Sequence, residues 1–171
     1  EHIAKLDFAE PPPAMARELQ LLLRELTGTR DPYKHLKHEY NTSALKAYSD
    51  LKIAVRNSKT PLETALRMAI AGNIIDFGAF TAKKVILLEE AIESVLREPL
   101  DRGALNLFME AVEQSKNIFY IADNAGEIVL DKLLIEELGP ERITVVVRGE
   151  PMLNDATIED ETIDDAVAAV A

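Results

Sequence analysis

The chain has 171 residues, 47% of them apolar, which suits one domain or a small domain plus part of another. Its 30 acidic and 19 basic residues give a net charge of −11, and no run of Lys and Arg interrupts that balance, so nucleic acid is not expected as a partner. The absence of cysteine excludes disulfides, zinc–thiolate sites and thiol catalysis within these residues.

No apolar run approaches the roughly 18 residues that a membrane span needs, so no membrane partner is expected. The start, Glu1-His2-Ile3, has no signal-peptide pattern. The lack of an initiator Met raises the expectation of further chain upstream. A cytoplasmic location fits these features, and the oligomeric state stays open.

Residues 1–115 read as a mainly helical region. Pro11-Pro12-Pro13 opens a first helix, with Met15, Leu19, Leu22, Leu23 and Leu26 on one stripe and Gly28 as its stop. Asp31-Pro32 opens a second, with Leu36, Tyr40, Ala44, Ala47, Tyr48 and Leu51 on one side. Thr60-Pro61-Leu62-Glu63 predicts a capping box, Thr60 as N-cap and Glu63 reaching back. That helix runs toward Ala71, where Gly72-Asn73 predicts an interruption. Val85, Leu88, Ile92 and Val95 mark a helix ending near Pro99, and Leu105, Phe108 and Val112 mark another. His35 and His38 share a helix face, but the H-E-x-x-H order is absent and a solvated face is the favoured reading.

The pattern changes in residues 116–171. Ile118-Phe119-Tyr120-Ile121 predicts a buried strand, Glu127 to Leu138 a helix with Leu130, Leu133, Leu134 and Leu138 inward, and Ile143 to Val147 a central parallel strand. Strand, helix and strand at this spacing make a βαβ unit. Two strands do not make a stable sheet. The expected fold is therefore α/β, a helical region beside a Rossmann-like sheet domain that is only partly present and continues beyond Ala171, within a helix predicted for 163–171.

Asp123 and Asn124 come directly after the first strand, and Asn154 and Asp155 come after the second, beyond a short loop. Ligands of parallel sheets bind at the carboxyl ends of the strands. Two carboxylates and carboxamide oxygens converging there form a hard-oxygen set for a divalent ion. The start of the next helix suits a phosphate, and Arg148 at the end of the second strand could neutralise a phosphate oxygen. A second reading is structural: Asn124 to Glu127 also forms a capping box, Thr157 to Asp160 resembles another, and from pattern alone this reading is favoured. Asn73 and Asp76 stand among apolar residues and glycines, where they either serve as caps or reach the strand-end site.

Tyr120-Ile-Ala-Asp-Asn-Ala-Gly-Glu127 resembles the signature of the damage-control phosphatase family, long catalogued as domain of unknown function 89. Val147-Arg-Gly-Glu-Pro-Met-Leu-Asn-Asp-Ala-Thr157 is similar to its second motif. Gly72-Asn-Ile-Ile-Asp-Phe-Gly78 and Asp31-Pro-Tyr-Lys-His-Leu-Lys37 are similar to its helical-region motifs. The motifs run in the family's order over nearly the whole chain, most like its stand-alone archaeal-type members.

The resemblance implies hydrolysis of small phosphorylated metabolites, such as sugar phosphates or phosphopantetheine derivatives, dependent on Mn, Co, Ni or Mg. It implies metal ligation by Asp123, Asn124 and Asp155, catalytic roles for Asp123, Asp155, Asp76 and Asn73, and substrate contacts from Arg148, Gly126 and Glu127. It also implies a further phosphate-binding lysine motif that these residues lack. Two other functions stay open: a Rossmann-like carboxyl methyltransferase, disfavoured by the missing glycine-rich loop after Ile121, and a non-catalytic metal-binding or interaction module.

Overall fold

The computed structural model describes residues 9–74 and 84–158. Among them, five α-helices precede the first strand. α1 (Pro12–Thr27) starts on its prolines and stops at Gly28, whose φ of +66° lets its N–H donate to the Arg24 carbonyl at 2.9 Å. α2 (Lys34–Asn57) is entered through Asp31, whose carboxylate accepts from the Tyr33 N–H at 3.0 Å.

α3 (Pro61–Ile74) departs from the sequence reading at both ends. The predicted capping box does not form. Glu63 pairs with Arg67 at 2.9 Å and Arg102 at 3.1 Å, while the Thr60 N–H donates to Ser58 Oγ at 3.1 Å. Two guanidinium groups offer the carboxylate charge-assisted bonds that outcompete a neutral amide. The helix also runs through Gly72 and Asn73 without interruption. Gly72 is a contact point: a Cβ there would sit 3.2 Å from Leu130 Cβ and 3.4 Å from Glu127 Cγ.

Next come α4 (Lys84–Arg97) and α5 (Arg102–Gln114), the latter capped by Asp101, which accepts from the Ala104 N–H at 3.0 Å. They lead into β1 (Ile118–Ile121), α6 (Glu127–Leu138), a 3₁₀ turn at Pro140–Arg142 and β2 (Ile143–Val146). β1 and β2 are parallel and in register, from Ile118 opposite Ile143 to Ile121 opposite Val146.

The fold is α/β, with α2 and α3 packed on α6 and α6 on the sheet. The core joins Tyr40, Ala44 and Met68 from the helical side to Ile128, Leu130, Leu133 and Ile143. Neither strand is buried on both faces as predicted: Phe119 is 74% and Ile121 79% exposed. α6 covers one face of the strand pair, and among the described residues no helix layer covers the other. Asp76, Asp160 and the helix predicted for 163–171 lie outside the described residues.

Candidate active site

The strand ends bring the two sequence motifs together. The Ala122 N–H donates to the Val146 carbonyl at 3.0 Å, the last rung of the parallel ladder. Beyond it, the segment after β2 turns back along the segment after β1. Asn124 and Asp155 pair as an antiparallel bridge. The Ala125 N–H donates to the Asn154 carbonyl at 2.9 Å, and the Ala156 N–H to the Asp123 carbonyl at 2.7 Å. Backbone pairing therefore fixes Asp123, Asn124 and Asp155 as neighbours independently of their side chains.

The side chains have different surroundings. Asp123 is exposed, and its carboxylate makes no hydrogen bond or ion pair among the described residues. Asp155 is buried, and its Oδ2 accepts from Arg148 Nε at 2.6 Å. Burial pushes the Asp155 carboxyl above its usual range, partly offset by the Arg148 bond and charge and by the charge of Lys37, while Asp123 pushes it further up. Arg148 itself is largely open to solvent, and its remaining side-chain N–H groups make no other hydrogen bond among the described residues.

The helical region closes the site from the other side. Asn41, buried in α2, accepts the Gly126 N–H at 2.6 Å. One turn earlier, buried Lys37 forms a 2.9 Å ion pair with Asp31. Gly126 precedes α6 with a φ of +84°, in the left-handed region that favours glycine. The capping box read from Asn124 to Glu127 does not form, because the N-cap is Gly126 and no side chain caps the helix. The Glu127 carboxylate, 7% exposed, instead accepts from Asn73 Nδ2 at 3.0 Å and Asn124 Nδ2 at 3.2 Å.

A cleft of about 300 Å³ runs between α3 and α6, with Asn73, Glu127, Tyr120 and Asp131 among its lining. The Tyr120 hydroxyl donates to Asp131 Oδ1 at 2.7 Å. The Asp131 carboxyl is pushed up to about 7, first by burial, with the charges of Glu127 and Asp123 adding and the Tyr120 bond opposing. Burial likewise raises the Tyr120 phenol.

Among the described residues, no group of three or more His, Cys, Asp or Glu side chains converges as a metal cluster. The set at the strand ends is instead two carboxylates and a carboxamide. All three offer oxygens, and the Asp123 carboxylate has no other partner among the described residues, so the donor chemistry fits a hard divalent cation. His35 is exposed beside Glu39, as a solvated helix face requires.

Sequence reasoning missed Lys37, Asn41 and Asp131. The first two carry a signal: with Ala44 they fall at i, i+4 and i+7 on the inward stripe of α2, where polar residues need partners. Asp131 interrupts the apolar run from Ile128 to Ile135, four residues after Glu127.

Residues 1–169 match the damage-control phosphatase ARMT1-like domain. The chain is 38% identical over 159 residues to an uncharacterised protein of Methanocaldococcus jannaschii, covering 89% of the chain and 51% of that protein. It is 35% identical over 150 residues to a damage-control phosphatase of Archaeoglobus fulgidus, covering 85% of the chain and 51% of the relative. The crystal structure of a DUF89-family protein from Pyrococcus horikoshii superposes with a TM-score of 0.67 at 33% identity, covering 85% of this chain and 50% of that one. The chain thus spans about half the length of the relatives it matches. On the match over 1–169 and on this shared fold, the chain belongs to the damage-control phosphatase ARMT1-like domain family.

Proposed function

We propose that this chain carries the metal-binding and part of the phosphate-binding machinery of a divalent-metal-dependent phosphatase acting on small phosphorylated metabolites, sugar phosphates or phosphopantetheine derivatives among them. The observation that carries the reading is the Asn124–Asp155 bridge at the carboxyl ends of parallel strands, beside an Asp123 carboxylate with no other partner among the described residues. The name of the Archaeoglobus relative, a damage-control phosphatase, supports the reaction class.

Asp123, Asn124 and Asp155 would hold the cation, Mn, Co, Ni or Mg. When bound it supplies positive charge that polarises the phosphoryl group and makes water more acidic. The chain's own residues do the rest. Arg148, tied to Asp155 through Nε and otherwise open to solvent, would offer its remaining N–H groups to a phosphoryl oxygen. Gly126 and Glu127 shape the start of α6, where the helix dipole favours an anion. Asn73 reaches the same place from α3 through Glu127. Asp155 or Asp76 orients the attacking water, the role for Asp76 resting on the family resemblance. Water attacks phosphorus, the ester P–O bond breaks, and the leaving alkoxide oxygen takes up a proton that the attacking water gives up, so that phosphate and alcohol are released.

The test is hydrolysis of an aryl phosphate by protein stripped with chelator and refilled with each metal in turn. Activity should return with metal and fall at least about a hundredfold in Asp123→Ala, the scale of losing a group that stabilises transition-state charge. Metal-independent activity, or an Asp123→Ala variant as active as the parent, would overturn the assignment.

A further inference from the structure

The Glu127 carboxylate stands between two carboxamides. Asn73, near the end of α3, donates Nδ2 to Oε1 at 3.0 Å, and Asn124, in the loop after β1, donates Nδ2 to Oε2 at 3.2 Å. Glu127 is buried at the first position of α6. The close approach of α3 at Gly72, 3.4 Å from an added Cβ to Glu127 Cγ, leaves that side chain little room to swing away.

A carboxylate has acceptors and no donor, so both carboxamides must turn their NH₂ groups toward it. Which end of an Asn side chain is nitrogen is ordinarily a choice made from the surrounding network. Here the chemistry of Glu127 makes that choice. With Nδ2 of Asn124 held toward Glu127, its Oδ1, in the same amide plane on the other branch from Cγ, points in a different direction. A cation needs the oxygen; the NH₂ end has nothing to give it.

We propose that Glu127 is a positioning residue: through the chain Asn73 to Glu127 to Asn124 it fixes the amide of Asn124 so that Oδ1, and not Nδ2, is offered to the metal. This rests on the reading of Asn124 as a metal ligand. Glu127 itself touches neither metal nor substrate in this role, which replaces the direct substrate contact expected from the sequence. Partners that orient ligand side chains typically carry about 10- to 100-fold in metal affinity.

The test is Mn²⁺ binding by calorimetry on the full protein, with thermal melts on the same samples. Glu127→Gln keeps the volume and replaces one acceptor by a donor, so Asn124 is no longer held one way round. It should bind Mn²⁺ about tenfold more weakly. Adding Asn73→Asp to Glu127→Gln supplies an acceptor for the new Gln NH₂ and points the Gln oxygen back at Asn124. That pair should recover to within about threefold of the parent, since the lost orientation is restored. Asn73→Asp alone adds the same charge against an intact Glu127 and should not tighten binding.

Parent-like affinity in Glu127→Gln overturns the proposal. So does a loss that the double variant fails to recover, because a purely packing role would not respond to reversing the hydrogen-bond polarity; tighter binding in Asn73→Asp alone would assign the recovery to the restored negative charge and overturns the proposal as well. If Glu127→Gln does not fold, the double variant carries the same test against the parent. A folded parent that binds none of Mn²⁺, Co²⁺, Ni²⁺ and Mg²⁺ overturns the metal reading and this proposal with it.

Discussion

α6 and α1 are both leucine-bearing helices, and their fates differ. α6 buries all but three of its 12 residues, whereas α1, 16 residues long with a clean apolar stripe, buries none. Seven of the 12 residues of α6 are apolar and they are spread round the helix, as in a helix enclosed by protein. The strand pair lies on one side of it and α2 and α3 on the other. α1 has a face but no comparable partner among the described residues. An apolar stripe gives a helix the means to bury a face; a surface of matching shape decides whether it does. The site belongs to the enclosed helix. Glu127 starts it, Asp131 lies one turn on, and the residues that reach it from outside come from α2, α3 and the strand ends.

The largest expected effect that would break this contrast is at Leu130, fully buried where α3 passes closest. Leu130→Ala should cost about 2–5 kcal/mol through lost burial and a cavity that close-packed neighbours cannot fill. A thermal melt should show a fall of roughly 5–15 °C for a chain of this size. A loss under about 1 kcal/mol would mean that α6 is not part of a tightly packed core.

Asp131 is the next largest. Its carboxyl, ordinarily at 3.8, is pushed up to about 7 in the folded chain, so the folded state holds the proton that the unfolded state releases. Below pH 3.8 the group costs nothing. As pH rises from 3.8 to about 7 stability falls, and above 7 the full penalty is present. Asp131→Asn keeps an oxygen for the Tyr120 hydroxyl and removes the charge. It should match the parent near pH 4 and exceed it at pH 8 by on the order of 2–4 kcal/mol, measured by denaturant unfolding with chelator present. A difference that stays flat with pH would show that Asp131 does not carry a buried charge in this fold.

Much of this was legible in the sequence because the signals were local. Prolines and a glycine bracket α1, periodic leucines mark α6, and β-branched residues mark β2. Asp123, Asn124 and Asp155 could be paired in advance because parallel strands deliver their outgoing loops to one edge of the sheet. The misreadings each needed a partner remote in sequence. Gly72 looks the same whether it ends a helix or admits a neighbour, and only the approach of Leu130 decides. Asn124 to Glu127 has capping-box spacing, but Asn73 and a left-handed Gly126 redirect it. Asn41 shows its place on the inward stripe of α2, but its role comes from the Gly126 amide 85 residues away.

The smallest effect sharpens the other side of the comparison. Leu26 ends the α1 stripe and is 75% exposed. An exposed leucine contributes little to stability, and alanine is at least as good a helix former, so Leu26→Ala should change unfolding free energy by no more than about 0.5 kcal/mol. The same substitution at Leu130 removes the same atoms from a fully buried setting, so the ratio of the two losses measures enclosure directly. If Leu26→Ala instead costs about 2 kcal/mol or more, the stripe is covered in solution by something packed against it. α1 would then belong with α6 among the enclosed helices, and its amphipathic pattern would be reporting a partner surface after all.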